Sequence, residues 1–277
     1  MSDAATHLAV LGSPIAHSKS PAIQRAAYSV LGLPWSYEAV EMTGAGLAAF
    51  VEGLDESWRG LSLTMPLKRE ILPLLAWRHP LVDLVGGANT VLLDADGPRG
   101  FNTDVQGVVE SFAGVGVSSL GYVHLLGAGA TAASVLVAIA RMGASRVLVS
   151  ARTPEKAQPL VELGAQLGVD VAVRPWGIMD RSLIVPDAVI STVPGGENDL
   201  VFAEPIRAGA VLFDVAYDPW PSRLATDWDA AGGTIISGLD LLINQAVGQV
   251  RLFLTGDQDE PLPREPEVIA AMRAAVA

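Results

Sequence analysis

The sequence predicts an α/β protein of two domains whose sheets are largely parallel. Three observations carry that prediction. Strand-like and helix-like segments alternate almost throughout the 277 residues, a second series of strands begins after residue 121, and half of the residues are hydrophobic, enough for a sizeable core.

In chain order, the apolar run HLAVL reads as a strand and is followed by a helix over 21–31 that Gly32 ends. WSYEAVE at 35–41 reads as a strand, GLAAFVEGL at 46–54 as a helix, RGLSLTM at 59–65 as a strand, and PLKREILPLLAW at 66–77 as a single helix. NTVLLDADGPRGF is expected to form a hairpin turning at Asp96-Gly97. A helix over 104–116 leads to the second series, YVHLL, RVLVS, VDVAV, DAVISTV, AVLFDVAY and TIIS. Between them lie helical runs TAASVLVAIARMG and PEKAQPLVELGAQLG, the second kinked or restarted at Pro159, which has no N–H to donate. LDLLINQAVGQVRLFL and EPEVIAAMRAAVA close the chain as helices.

Composition excludes several function classes. With no cysteine there is no disulfide, thiolate metal site or cysteine nucleophile, which fits a reducing cytoplasm. The N-terminus has neither the basic start nor the apolar stretch of a signal peptide. The longest apolar-rich uncharged stretch, 121–139, is broken by His124, Gly127, Gly129 and Thr131, so it reads as strand, turn and helix rather than a membrane span. A net charge of −12 argues against nucleic acid and acidic membrane surfaces. An anionic ligand must therefore be held by a few local cations. The four histidines, at 7, 17, 79 and 124, do not cluster with carboxylates, so no metal is expected.

Two stretches offer places for an anion. LGSPIAHSKSP places Ser13, Ser18 and Ser20 where a strand hands over to a helix. Either Ser18 or Ser20 caps that helix, or the hydroxyls and the helix start together receive a negatively charged group. HLLGAGATAASV gives Gly127, Ala128, Gly129, Ala130, Thr131 and Ala132 straight after a strand and at the opening of a helix, the context of a Rossmann-type pyrophosphate turn. An NAD site expects a carboxylate about 20 residues on, at the end of the next strand. Here that place holds Ser150, Ala151 and Arg152, followed by Thr153 and Lys156, a set suited to a 2′-phosphate; NADP is favoured. Thr153 also reads as the cap of a helix that starts at Pro154.

The remaining polar motifs, LTMPLK, GGANTV and GFNTD, each fall where a strand or hairpin meets a loop. Together with GSPIAHSKSP, GAGATA, ARTPEK, DVAYDP and SGLDLLINQA they closely resemble the shikimate dehydrogenase family, in the family's order and over residues 12–246.

The resemblance implies a discontinuous α/β substrate domain, 1–104 completed by 239–277, and an NADP-binding Rossmann domain over 105–238. It implies reversible reduction of 3-dehydroshikimate to shikimate by NADPH, in aromatic amino-acid biosynthesis. Ser18 and Ser20 match the serines that bind the substrate carboxylate. Thr64, Asn89, Asp104 and Gln245 match positions at the ring hydroxyls, and Tyr217 a tyrosine that reaches the substrate. Lys68 and Asp104 match the catalytic pair. Gly127 to Thr131 match the pyrophosphate turn, Ala151, Arg152, Thr153 and Lys156 the 2′-phosphate loop, and Val215 and Gly238 the surroundings of the nicotinamide. Three departures stand out: Ser62 and Ala151 where the family often has Asn, and ISTVPGG in place of an asparagine-containing segment. The alternatives are an enzyme of the same fold acting on quinate or with NAD, and a ligand-binding paralogue without turnover. A monomer or a homodimer is expected.

Overall fold

The computed structural model describes residues 6–177, 184–193 and 200–277. The chain divides into two compact units, Met1–Thr103 with Ile243–Ala277, and Asp104–Leu242. Among the described residues the strands form two six-stranded sheets.

In the first unit β1 (Thr6–Gly12) lies between β2 (Trp35–Glu41) and β3 (Trp58–Leu63), parallel to both. β3 pairs antiparallel with β5 (Thr90–Asp94), β5 antiparallel with β6 (Gly97–Phe101), and the two-residue β4 (Trp77–Arg78) runs parallel to β6 at the edge. Helix α1 (Ser20–Leu31) buries Ser20, Ile23, Gln24, Ala27 and Tyr28, an i, i+3, i+4, i+7, i+8 stripe, and Gly32 ends it in the left-handed conformation at φ 68°. α2 (Gly44–Glu52) follows β2 and contributes Leu47 to a core with Leu11, Leu61, Leu67, Ile71 and Val91.

Two details differ from the expected elements. The segment 66–77 is not one helix: α3 (Leu67–Glu70) is followed by a 3-10 turn at Leu72–Leu74, and Trp77 already belongs to β4. Pro73 supplies the reason, since its ring blocks the carbonyl four residues earlier and it lacks the N–H to continue. The hairpin turns one residue early, at Ala95-Asp96, with Asp94 opposite Gly97. Asp94 Oδ1 accepts the Asp96 N–H at 3.1 Å, an Asx turn that draws the chain round before Gly97. α4 (Pro80–Val85) connects β4 to the GGANT segment.

The second unit begins with α5 (Asp104–Ala113) and its strands are all parallel. They are β7 (Tyr122–Leu126), β8 (Arg146–Ala151), β9 (Asp170–Pro175), β10 (Ala188–Ser191), β11 (Val211–Asp214) and β12 (Ile235–Ser237). The order β12-β11-β10-β7-β8-β9 is the doubly wound arrangement in which strand order reverses between the first and fourth strands. α6 (Ala130–Arg141) follows β7, and α7 (Gln158–Leu167) follows a 3-10 turn at Pro154–Ala157, so Pro159 sits in the opening turn of a restarted helix. α8 (Glu204–Gly209) and α9 (Arg223–Asp229) flank β11 in sequence. Among the described residues no helix is long and apolar enough to cross a membrane, and no group of three His, Cys, Asp or Glu residues is placed to hold a metal.

α10 (Gly238–Thr255) carries the chain back into the first unit, and α11 (Glu265–Ala274) packs against α1. The two last helices are joined by a bidentate ion pair, Arg251 Nε to Glu265 Oε2 at 2.9 Å and Arg251 Nη2 to Glu265 Oε1 at 2.6 Å. Burial opposes the charge on Glu265, but the Arg251 hydrogen bonds and the Leu262 N–H outweigh it and hold the carboxyl below its ordinary 4.5. A depressed carboxylate contributes stability above that value and loses it as the pH falls through the lower folded-state pKa. Glu265→Gln is therefore expected to cost about 2 kcal/mol at neutral pH. The gap from wild type should close on acidification, as read by denaturant melts at both pH values. A gap independent of pH would assign the loss to packing instead.

Candidate active site

The polar residues of the first unit gather at the carboxyl ends of β1 and β3. Thr64 N–H donates to Leu11 O at 2.9 Å and Ser13 N–H to Met65 O at 3.0 Å, so the serine-rich segment and the LTMPLK turn leave the sheet side by side. A Cβ on Gly12 would lie 2.3 Å from Thr64 Cγ2, so the approach needs glycine there. Ser20 is buried as the first residue of α1, and Ser18 is half-buried, its Oγ accepting the Ser20 N–H at 3.3 Å. The cap position itself is occupied by Lys19, which makes no side-chain cap bond. The capping expectation is thus met only by the one Ser18 bond, because the helix starts a residue later than Ser18 would need.

Lys68 is half-buried in α3, and its carbonyl accepts the Ala88 N–H at 2.8 Å. Gly87 faces this turn closely, since a Cβ there would stand 3.3 Å from Lys68 O. The lysine is thereby stitched to the GGANT segment. Asn89, only 1% exposed, donates through Nδ2 to Thr103 Oγ1 at 2.9 Å and to Gln245 Oε1 at 3.3 Å. Its Oδ1 accepts the Thr103 N–H and the Thr90 hydroxyl, both at 2.9 Å. Asn102 Nδ2 donates to Gly87 O at 3.0 Å, closing the group. One patch therefore unites Asn89 and Gln245 directly and ties the Lys68 turn to them through the backbone.

In the second unit Asp104 is the buried first residue of α5, covalently next to Thr103. Gly127 sits at φ +100°, where an L side chain is strained, and a Cβ there would meet Thr192 Oγ1 at 2.6 Å. Thr192 is held in turn, its hydroxyl donating to Leu126 O at 2.9 Å. A Cβ on Gly129 would meet nothing within 4 Å, although this residue caps the twelve-residue α6. The turn is thus tight at Gly127, open at Gly129 and packed at Ala132, which is fully buried. Ala128, Ala130 and Thr131 are half-buried around it. This is a cradle at a helix N-terminus, with room for an anionic group such as a pyrophosphate.

At the end of β8 Ala151 is buried, while beyond it Arg152, Thr153 and Lys156 are exposed and no carboxylate stands at the strand end. Thr153 occupies the cap position of the 3-10 turn without a side-chain cap bond, so the expected cap is absent and the turn closes through Lys156 N–H to Thr153 O at 3.0 Å. The guanidinium of Arg152 lies 5.7 Å from the ring centroid of Trp176, and the backbone N–H of Trp176 donates to Ala151 O at 2.8 Å. These residues fit the 2′-phosphate end of NADP. Segment ISTVPGG runs into residues 194–196, which lie outside the described residues.

The loop after β11 carries Val215 and Tyr217. Asp214 Oδ1 accepts the Ala216 N–H at 3.2 Å and Oδ2 the Ser222 hydroxyl at 2.6 Å, fixing the loop from below. Burial raises the Asp214 carboxyl despite those hydrogen bonds. Gly238 is required here, because a Cβ would fall 2.1 Å from Val215 O. Burial, with the nearby Asp218 charge, raises the half-buried Tyr217 phenol, which therefore remains a hydrogen-bond donor at neutral pH.

Sequence reasoning missed three residues near these groups. Trp176 has no motif and comes beside Arg152 only through the β8–β9 register. Gln24 and Gln249 are buried, and each carried a signal: a polar side chain in the apolar stripe of α1, and one a helical turn beyond Gln245.

A doubly wound sheet with this glycine cradle and a cationic loop in place of an acid defines an NADP-type dinucleotide-dependent oxidoreductase. A model of the shikimate dehydrogenase substrate binding domain matches residues 10–91. The NADP(+) shikimate dehydrogenase of Methanothermobacter thermautotrophicus is 32% identical over 93% of both chains. The chain belongs to the shikimate dehydrogenase family. Among solved structures, Mycobacterium tuberculosis shikimate dehydrogenase is 36% identical, with a TM-score of 0.83 over 97% of this chain and 99% of that one. The Thermus thermophilus enzyme, solved with NADP(H) and shikimate, is 29% identical, with a TM-score of 0.81 over 98% and 100%.

The open space at Gly129 gives a direct test of the cradle. Gly129→Ala adds a methyl that touches no protein atom, so its melting temperature should equal that of wild type. The KM for NADP+ should rise by about tenfold, equivalent to roughly 1.4 kcal/mol. An unchanged KM would remove Gly129 from the pyrophosphate site.

Proposed function

We propose that the first unit binds the ring acid and the second binds NADP, with Lys68 and Asp104 as the catalytic pair. The reaction is the reversible reduction of 3-dehydroshikimate to shikimate with NADPH, a step of aromatic amino-acid biosynthesis. What most supports the division of labour is the buried group of Asn89, Thr103 and Gln245, tied through Gly87 and Ala88 to the turn that holds Lys68. Such convergent polar side chains suit a polyhydroxylated ring, whose hydroxyls need matched donors and acceptors.

In this reading Ser18 and Ser20 hold the ring carboxylate, and Thr64, Asn89, Gln245 and Tyr217 hold the hydroxyls. Bound NADPH supplies the hydride. As charge grows on the carbonyl oxygen, the Lys68 ammonium stabilises it and passes a proton to it. Asp104 accepts a hydrogen bond from the neighbouring ring hydroxyl and orients the lysine, so that positioning lowers the barrier. Gly127 to Thr131 receive the pyrophosphate, and Arg152, Thr153 and Lys156 the 2′-phosphate beside Ala151. Val215 and Gly238 flank the nicotinamide. A cytoplasmic location and no nucleic-acid partner belong to the same reading, since a cysteine-free chain suits a reducing compartment and a net charge of −12 repels polyanions. Monomer and homodimer are both compatible with it.

The test is initial-rate oxidation of shikimate with NADP+, beside NAD+ and quinate, for wild type, Lys68→Ala and Arg152→Ala. Wild type should act on shikimate with NADP+. Lys68→Ala should lose on the order of 10²–10⁴ in kcat, with the shikimate KM little changed. A steep rise in KM with kcat intact would make Lys68 a binding residue. Arg152→Ala should weaken NADP+ and leave the poorer NAD+ reaction unaffected.

A further inference from the structure

We infer that Gln249 is a positioning residue of the ring-acid site, a single buried amide that ties together the four segments of the first unit that carry or adjoin Ser20, Thr64, Asn89 and Gln245. The inference rests on the substrate reading given for the first unit.

Gln249 lies on α10, one helical turn beyond Gln245, and is 3% exposed. Its Oε1 accepts from Gln24 Nε2 at 3.1 Å and from Ser62 Oγ at 3.0 Å. Its Nε2 donates to Asn89 O at 3.3 Å and to Thr90 Oγ1 at 3.2 Å. Both acceptor positions and both donors of the amide are thus engaged. Each partner stands next to a residue given to the substrate. Gln24 is one turn beyond Ser20 on α1, Ser62 is two residues before Thr64 on β3, and Asn89 is itself in the group. The side chain that binds is Gln245; the side chain that sets where Gln245, Asn89, Thr64 and Ser20 stand relative to one another is Gln249.

The neighbouring substitution fits this role. Ser62 stands where the family often has the longer Asn, and the hydroxyl of Ser62 reaches Gln249 directly. Gly248 lies against Thr103, where a Cβ would come within 3.1 Å of its Cγ2, so α10 approaches the Asn89–Thr103 patch closely at this level. Small misplacement of binding groups is enough to weaken a polar site strongly.

The experiment compares wild type, Gln249→Leu, the double variant Gln24→Leu/Gln249→Leu, and Asn89→Ala, each as the full chain. Readouts are KM for shikimate, KM for NADP+, kcat and melting temperature. Gln249→Leu takes the acceptor from the Gln24 amide and the Ser62 hydroxyl, while Asn89 O keeps the Leu63 N–H and the Thr90 hydroxyl keeps Asn89 Oδ1, and it melts lower; in the double variant Gln24 no longer has an amide to satisfy, so part of the stability returns. The expected result is a shikimate KM raised about tenfold in both variants, with the NADP+ KM unchanged. A KM that returns to wild type together with the melting temperature would overturn the positioning role and leave only a structural one. Wild-type KM in both Gln249 variants, with a raised KM in Asn89→Ala, would overturn it while keeping the substrate reading. An unchanged KM in Asn89→Ala would overturn the substrate reading and this inference with it.

Discussion

The polar seam of the first unit is organised by the rule that a buried amide or hydroxyl seeks its partners inside the protein, at a penalty of about 1–3 kcal/mol for each one that finds none. Asn89, Thr90, Thr103, Gln245 and Gln249 are all almost fully buried, and their bonds run from one to the next across β5, the end of β6 and α10. Apolar packing alone would tolerate small slides of α10 over the sheet, because dispersion contacts are numerous and interchangeable. A chain of directional bonds does not. The apolar residues make the unit compact, and the polar seam makes its arrangement unique.

In the second unit the corresponding constraint is covalent geometry. Parallel strands place their carboxyl ends on one side, and the strand order reverses between β7 and β10. Gly127 follows the first of these and Thr192 the second, and the pair are close enough that only glycine fits. A binding cleft at such a reversal needs no dedicated scaffold, since the loops diverge there of necessity. What the chain adds is the sign of the charge after β8, where Arg152 and Lys156 stand in place of a carboxylate.

Elements were legible where periodicity and punctuation agreed. The stripe of α1 and its Gly32 stop, the all-parallel second series and the glycine cradle all follow from local patterns that the tertiary structure keeps. The reading of 66–77 as one helix went astray because its apolar spacing is helical while Pro73 is not, and the proline wins. The hairpin slipped by one residue because Asp94 forms an Asx turn, a side-chain effect that the Asp-Gly pair concealed. Trp176 and the pairing of Gln24 with Gln249 were missed for another reason: the two glutamines stand out locally, but their partners, like that of Trp176, are set by strand register and helix packing between distant parts of the chain. Motif resemblance supplied every residue proposed for substrate and cofactor, whereas the buried Gln24–Gln249 contact beside them has no motif.

The division of the chain also sets an order of events during synthesis. The second unit is one continuous stretch, so it has all its strands once Leu242 has left the ribosome. The first unit begins earlier but lacks α10 and α11 until the last residues emerge, and with them the partners of Asn89 and Gln24. The later-encoded unit is therefore complete before the earlier one, and β1 to β6 wait, with buried-to-be polar groups still wet, for the C-terminal helices to close over them.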